Sequence, residues 1–194
     1  MITPYSLGFG AFMFVFALTV QGGLHATPLQ SALTILPMAL LFFAGSVYSP
    51  KITQRFGRGA LAVGGLVQAG GLAMLIAILL TGWPHVSLLD LVGPMLLIGG
   101  GQSMLFTGLF RIVLTDVPGH LAGIGGGALI TLQQTGLALG VATLGTLYLA
   151  LRPHSIPHAF AAAVGIQLAI ILALVLATRL LPRFTACTTA TPAG

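Results

Sequence analysis

The chain has 194 residues, of which 57% are hydrophobic and only 5% are charged. A soluble domain normally carries about 25% charged residues, so this composition excludes a water-facing globular fold. The formal net charge is +5, but the seven basic residues are scattered among apolar segments and form no stripe that would follow a nucleic acid backbone. The composition therefore predicts a membrane protein that sits in the lipid bilayer and has no nucleic acid partner.

Six segments are long and apolar enough to cross a membrane, which requires about 20 mainly apolar residues. In chain order the predicted spans are 5–24, 31–49, 59–81, 88–110, 123–150 and 159–181. Backbone polar groups in hydrocarbon must pair within the protein, and the sequence has no alternating pattern of barrel strands, so each span is expected to be helical. The sequence thus predicts an all-α membrane domain of six helices over residues 1–182, followed by a short, disordered cytoplasmic tail over residues 183–194.

The basic residues predict how the chain is oriented. With six spans, one side of the membrane carries Lys51, Arg55, Arg58, Arg111, Arg179 and Arg183, whereas the other carries only Arg152. Cytoplasmic connections carry the excess of Lys and Arg. The chain is therefore expected to be a multi-pass protein of the cell (inner) membrane with both termini in the cytoplasm.

Small residues recur at helical spacing in the central stretch from Gly99 to Tyr148. This spacing lets membrane helices approach closely, so that packing replaces the missing hydrophobic driving force. The residues predicted to pack helices together are Gly99, Ser103 and Thr107 before the connection at 115–120, and Gly123, Gly127, Gly136 and Gly140 after it.

The polar residues inside the predicted spans are uncharged. Glutamines at such positions either hydrogen-bond between helices or line a solvated cavity, and the sequence leaves both alternatives open. Neither aspartate lies in the middle of a span, so no carboxylate is placed to carry a proton within the membrane. His154 and His158 have the i, i+4 spacing of metal ligands, but Pro157 lies between them and no third ligand is near. We expect no enzyme activity, no metal and no cofactor.

An ordered set of motifs resembles the major facilitator superfamily of transporters. The run from Leu18 to Pro37 is similar to the first helix pair of the C-terminal half, and residues 54–58 (QRFGR) resemble the family's cytoplasmic-loop motif. The stretches at 99–102 (GGGQ) and 133–142 (QQTGLALGVA) resemble later motifs of the same half. The branch that these motifs match is the fourteen-helix drug:proton antiporters, which carry out multidrug efflux.

This resemblance implies that the chain is one six-helix half of such a carrier. It implies that the first, second, fourth and fifth helices line a central cavity for a small-molecule substrate, while the third and sixth lie outside. Carried onto this sequence, the implied cavity residues are Phe9, Phe12, Phe16, Gln21, Met38, Gln102, Phe106, Gln133 and Gln134. The loop motif implies a role for Arg55, Gly57 and Arg58 at the cytoplasmic surface.

The resemblance also implies a partner, because the proton-coupling carboxylates of the family lie in its N-terminal half. The leading hypothesis is therefore the C-terminal half of a proton-coupled efflux permease that works by alternating access. The alternative is a truncated or split-gene membrane subunit without transport activity of its own. In either case the expected partner is an N-terminal half, carried either on the same polypeptide or on a separate one.

Overall fold

The computed structural model describes residues 2–56, 58–115, 118 and 122–180, and it describes the side chains at all of these positions except 2, 49–56, 58, 111–115 and 178–180. The predicted tail at 183–194 lies outside the described residues, as does most of the connection at 116–121. Gly57 of the loop motif lies outside them too, and of Arg55 and Arg58 only the backbone is described.

Six helices make up the described chain, and no strand occurs in these ranges. They are α1 (Ile2–Gly22), α2 (Pro28–Phe56), α3 (Arg58–Gly82), α4 (Val92–Thr115), α5 (Ala122–Leu151) and α6 (Ile156–Leu180). Each is long and apolar enough to cross a bilayer. The prediction of an all-α membrane fold with six transmembrane helices is confirmed.

The helices differ from the predicted spans mainly at their ends. Helix α2 continues to Phe56, beyond the apolar span that ends at residue 49. Hydropathy marks only the part of a helix that lies in hydrocarbon, and a helix can continue past it into the polar region. Helix α5 contains a π-helical turn at Val141–Gly145, which the hydropathy pattern does not reveal. Such turns occur as short bulges within α-helices.

The bundle is built around α1 and α4, the two most deeply buried helices. Helix α1 packs against α5 and α6, while α4 packs against α2 and α3, and α3 also packs against α6. Few contacts join α1 to α2 or α4 to α5, so a gap remains between these two groups. Helices α2 and α5 are the most exposed and present large apolar side chains to their surroundings, including Leu33, Leu40, Phe43, Ile124 and Leu132.

Close packing at glycine fixes the distance between the helix pairs. A Cβ at Gly140 of α5 would meet the backbone carbonyl of Leu7 in α1, and one at Gly99 of α4 would meet the backbone carbonyl of Met38 in α2. Gly136 faces Ser6 of α1, with 2.9 Å between the added Cβ and the serine Cβ. These three glycines of the predicted packing set therefore lie at helix crossings.

The other members of the predicted packing set are arranged differently. Ser103 is fully buried opposite Gly45 of α2, and its hydroxyl donates to the Gly100 carbonyl at 2.8 Å. Thr107 is half-buried. At Gly123 and Gly127 the structure departs from the prediction, because an added Cβ would meet no atom within 4 Å. The first turns of α5 are not covered by another helix in the described chain.

A buried hydrogen bond joins α1 to the last turns of α5. The hydroxyls of Thr19 and Tyr148 are 2.9 Å apart, both side chains are fully buried, and Thr19 also donates to the Val15 carbonyl at 2.8 Å. The Tyr148 hydroxyl thus has a partner within the protein.

Replacing Tyr148 by phenylalanine should therefore destabilise the bundle. We expect the free energy of unfolding to fall by about 1 kcal/mol, because one buried hydrogen bond is lost and Thr19 loses a partner. Thermal denaturation of the purified chain in detergent measures this effect. An unchanged melting temperature would show that the bond contributes nothing to stability.

Candidate substrate cavity

The gap between the two helix groups forms an open-sided cavity of about 470 Å³. Its walls come from α1, α2, α4 and α5, which are the four helices that the family resemblance implies. The lining residues are Tyr5, Ser6, Phe9, Met38, Ala39, Phe42, Phe43, Gln102, Phe106, Gln133 and Leu137. Cavities of several hundred Å³ with mainly apolar walls and a few polar groups are typical of sites for small molecules.

Five of the nine cavity residues implied by the resemblance lie in this lining. They are Phe9 of α1, Met38 of α2, Gln102 and Phe106 of α4, and Gln133 of α5. The structure thus brings together side chains that are up to 124 positions apart in sequence.

The structure places the other four outside the lining. Phe12 and Phe16 are fully buried in the core, where their rings stack at a centroid distance of 5.7 Å. Phe16 shares a helix face with Phe9, but it lies about two turns, or roughly 10 Å, further along α1, where the bundle has closed. Gln21 is exposed near the end of α1 and donates to the Ser31 hydroxyl at 3.3 Å, and Gln134 is exposed on the outer side of α5.

Several lining residues were not predicted from the sequence. Tyr5 lies one helical turn before Phe9, Phe42 lies one turn after Met38, and Leu137 lies one turn after Gln133. Residues four apart share a helix face. Extending each implied residue by one turn would have found all three.

An aromatic wall runs along the α2–α4 side of the cavity. The rings of Phe42 and Phe106 meet edge to face at a centroid distance of 5.9 Å, and Phe106 lies 4.4 Å from Phe110. Aromatic rings in such contacts offer flat apolar surfaces and, at their faces, attraction for cations. The wall therefore suits flat, apolar ligands.

The polar part of the lining is small and uncharged. Tyr5 and Gln102 are almost fully buried; among the described residues the Gln102 Oε1 atom has no hydrogen-bond partner, and the Tyr5 hydroxyl faces Gln68 of α3. None of the described lining residues carries a formal charge. The described part of this lining therefore offers apolar surfaces and few polar groups.

Comparison with known proteins gives relatives but no matching family model. The probable actinorhodin transporter of Streptomyces coelicolor is 32% identical over 151 residues, covering 74% of this chain and 25% of its own length. The tetracenomycin C resistance and export protein of Streptomyces glaucescens is 30% identical, covering 71% of this chain and 25% of its own. The puromycin resistance protein pur8 of Streptomyces alboniger is 31% identical, covering 72% and 28%.

These relatives are transport and resistance proteins, and the chain spans only about a quarter of their length. The alignment with the first of these relatives covers most of the six-helix bundle. The cavity that the bundle encloses is of the kind that binds small molecules. The chain is a multi-pass membrane protein of the major facilitator superfamily, and the relatives that it matches are drug and antibiotic export and resistance proteins.

Proposed function

We propose that the chain forms the C-terminal six-helix half of a proton-coupled efflux permease for drugs or other small amphipathic compounds. The observation that carries the proposal is the apolar, aromatic cavity between α1, α2, α4 and α5 in a chain whose relatives are export and resistance proteins. Relatives named for compounds as different as puromycin and actinorhodin support a site that relies on apolar contact.

The proposed mechanism is alternating access, in which two halves rock about a central site. The exposed apolar faces of α2 and α5 would receive the N-terminal half, which would close the open side of the cavity. No charged side chain lines the described part of the cavity, so the proton-coupling carboxylate would come from that other half.

The proposed orientation places substrate entry on the cytoplasmic side. The lining residues lie toward the end of the bundle at which α1 begins, and the six-to-one distribution of basic residues supports a cytoplasmic position for that end. A compound that enters from the cytoplasm would therefore reach the aromatic wall without crossing the closed part of the bundle. The membrane in question would be the cell (inner) membrane.

The first test is to delete the chromosomal locus and to measure ethidium accumulation in cells with and without it. We expect deletion to raise ethidium accumulation, and an uncoupler to bring wild-type cells to the level of the deletion strain. Extrusion that survives the uncoupler would contradict proton coupling. Equal accumulation of ethidium and a panel of other amphipathic dyes in both strains would contradict efflux and support the subunit without transport activity.

A second test identifies the partner half. An epitope tag at the C terminus, introduced at the chromosomal locus, reports the size of the native product in the membrane fraction. A band well above the 19.8 kDa of this sequence would place both halves on one polypeptide. A band near that mass would direct the search to a separate chain, which should co-purify with the tagged one. Absence of any co-purifying membrane protein would contradict the two-half proposal.

A further inference from the structure

Phe110 of α4 is the member of the aromatic wall that does not line the cavity. Its ring centroid lies 4.4 Å from that of Phe106, with 34° between the two ring planes. Phe106 is part of the lining, whereas Phe110 is half-buried and is not. Residues four apart share a face of a helix, so α4 itself brings the two rings together. Phe110 therefore contacts a cavity residue without contributing to the cavity surface.

The backbone that carries the wall is fixed by two close crossings of α2 and α4. A Cβ added at Gly99 of α4 would lie 2.9 Å from the Met38 carbonyl carbon. One added at Gly45 of α2 would lie 2.8 Å from the Ser103 Cβ. Phe42 lies between these two crossings on α2. Because the helices are already in close contact there, the orientation of the wall rings is decided by their side-chain neighbours.

The Phe106 ring has two aromatic neighbours that restrict its orientation. Phe42 meets it edge to face at a centroid distance of 5.9 Å, and Phe110 lies closer, at 4.4 Å. A packed side chain keeps one rotamer because its neighbours fill the space that the other rotamers would need. Removing the Phe110 ring would open space beside Phe106, and the Phe106 ring could then turn away from the plane it now presents to the cavity.

We propose that Phe110 is a positioning residue, which holds the Phe106 ring in the orientation that binds flat ligands. The inference rests on the proposed function, because it concerns binding in the same cavity. It goes beyond that function by assigning a preference for flat over globular compounds to a residue that lies outside the cavity lining.

Two probes of equal charge test this preference. Ethidium is a planar monocation, whereas tetraphenylphosphonium is a monocation with a tetrahedral arrangement of rings that cannot lie flat against one wall. Equilibrium binding of each probe to the purified chain in lipid nanodiscs is measured against empty nanodiscs. We expect Phe110→Leu to weaken ethidium binding by about threefold to tenfold, the range for the loss of one aromatic pair, and to leave tetraphenylphosphonium binding unchanged. Phe110→Tyr keeps the ring and should bind ethidium as the unmodified chain does.

Phe14 of α1 provides the matched control. It is half-buried and packs against the core, as Phe110 does, but it lies against Gly145 of α5 and is not part of the cavity lining. Phe14→Leu should therefore leave the binding of both probes unchanged, although it also removes one ring from the bundle.

A double substitution shows whether Phe110 acts through Phe106. In a Phe106→Leu background there is no ring left to position. The double variant should therefore bind ethidium as weakly as Phe106→Leu alone, whereas independent contributions would multiply. If the two losses do multiply, Phe110 contacts the ligand itself and the positioning role is overturned.

Other results would also overturn the proposal. If Phe110→Leu binds ethidium as the unmodified chain does, Phe106 keeps its orientation without Phe110. If Phe110→Tyr binds ethidium as weakly as Phe110→Leu, the ring contact is not the cause. If Phe110→Leu weakens both probes equally, or if Phe14→Leu has the same effect, the change is a general loss of packing. If neither probe binds the unmodified chain, the proposed role of the cavity in this chain fails, and the role of Phe110 fails with it.

Discussion

Replacing Gly140 by alanine should separate α1 from α5 and destabilise the whole bundle. The added Cβ would lie against the Leu7 carbonyl oxygen, 2.8 Å from its carbon and 3.0 Å from its Cα, all of them backbone atoms that cannot rotate away. Overpacking of this kind costs about 1–3 kcal/mol of the free energy of unfolding. Thermal denaturation of the purified chain, followed by size-exclusion chromatography, measures the loss of folded protein.

Gly127 provides the matched control on the same helix. An alanine there would meet nothing within 4 Å, while both substitutions bring the same intrinsic gain of about 1 kcal/mol that alanine has over glycine in a helix. Gly127→Ala should therefore equal or exceed the stability of the unmodified chain. If the two variants melted at the same temperature, the close crossing of α1 and α5 at Gly140 would be contradicted.

Substitutions at Phe12 and Phe106 should have different effects, one on the stability of the bundle and the other on ligand binding. Phe12 is 1% exposed in the core, so Phe12→Ala should lower the free energy of unfolding by about 3–5 kcal/mol. Phe106 forms the centre of the aromatic wall, so Phe106→Leu should weaken binding of ethidium to the purified chain in lipid nanodiscs by up to about tenfold, the loss expected for one aromatic pair. Denaturation measures the first effect and nanodisc binding the second.

A milder substitution at Phe12 allows ligand binding to be compared with that of Phe106→Leu on folded protein. Phe12→Leu retains most of the buried volume and should fold, and we expect it to bind the same probe with unchanged affinity. A loss of affinity as large as that of Phe106→Leu would mean that Phe12 contacts the ligand. The family resemblance implies such a contact, but Phe12 is not among the residues that line this cavity.

The sequence predicts the number and position of the helices better than it predicts which side of each helix faces the cavity or the core. Hydropathy is sufficient to count the six spans, because each has to satisfy its own backbone in lipid. Hydropathy does not show where two helices diverge. The place of that divergence decides whether a phenylalanine such as Phe16 lines a cavity or fills the core. Phe9 and Phe16 share one face of α1, and only the closing of the bundle between them gives the two residues different environments.

The packing glycines illustrate the same difference. Gly123 and Gly127 have the same spacing as Gly136 and Gly140, and all four lie on α5. Only the second pair crosses α1, because the first turns of α5 extend past the part of the bundle that α1 covers. Small residues at helical spacing permit close approach, but the pattern does not state whether a partner helix is present.

The measurement that tests the central claim most directly is the water accessibility of the cavity wall. The single cysteine, Cys187, is first replaced by serine. Gln133→Cys in the cavity and Leu172→Cys on the exposed side of α6 are then treated, in open membrane fragments, with a charged, water-soluble maleimide. A thiol reacts as its thiolate, which requires contact with water.

A substrate path between α1, α2, α4 and α5 predicts rapid labelling at position 133 and none at position 172, which would face lipid. An unreactive thiol at position 133, or equal labelling at both positions, would contradict it.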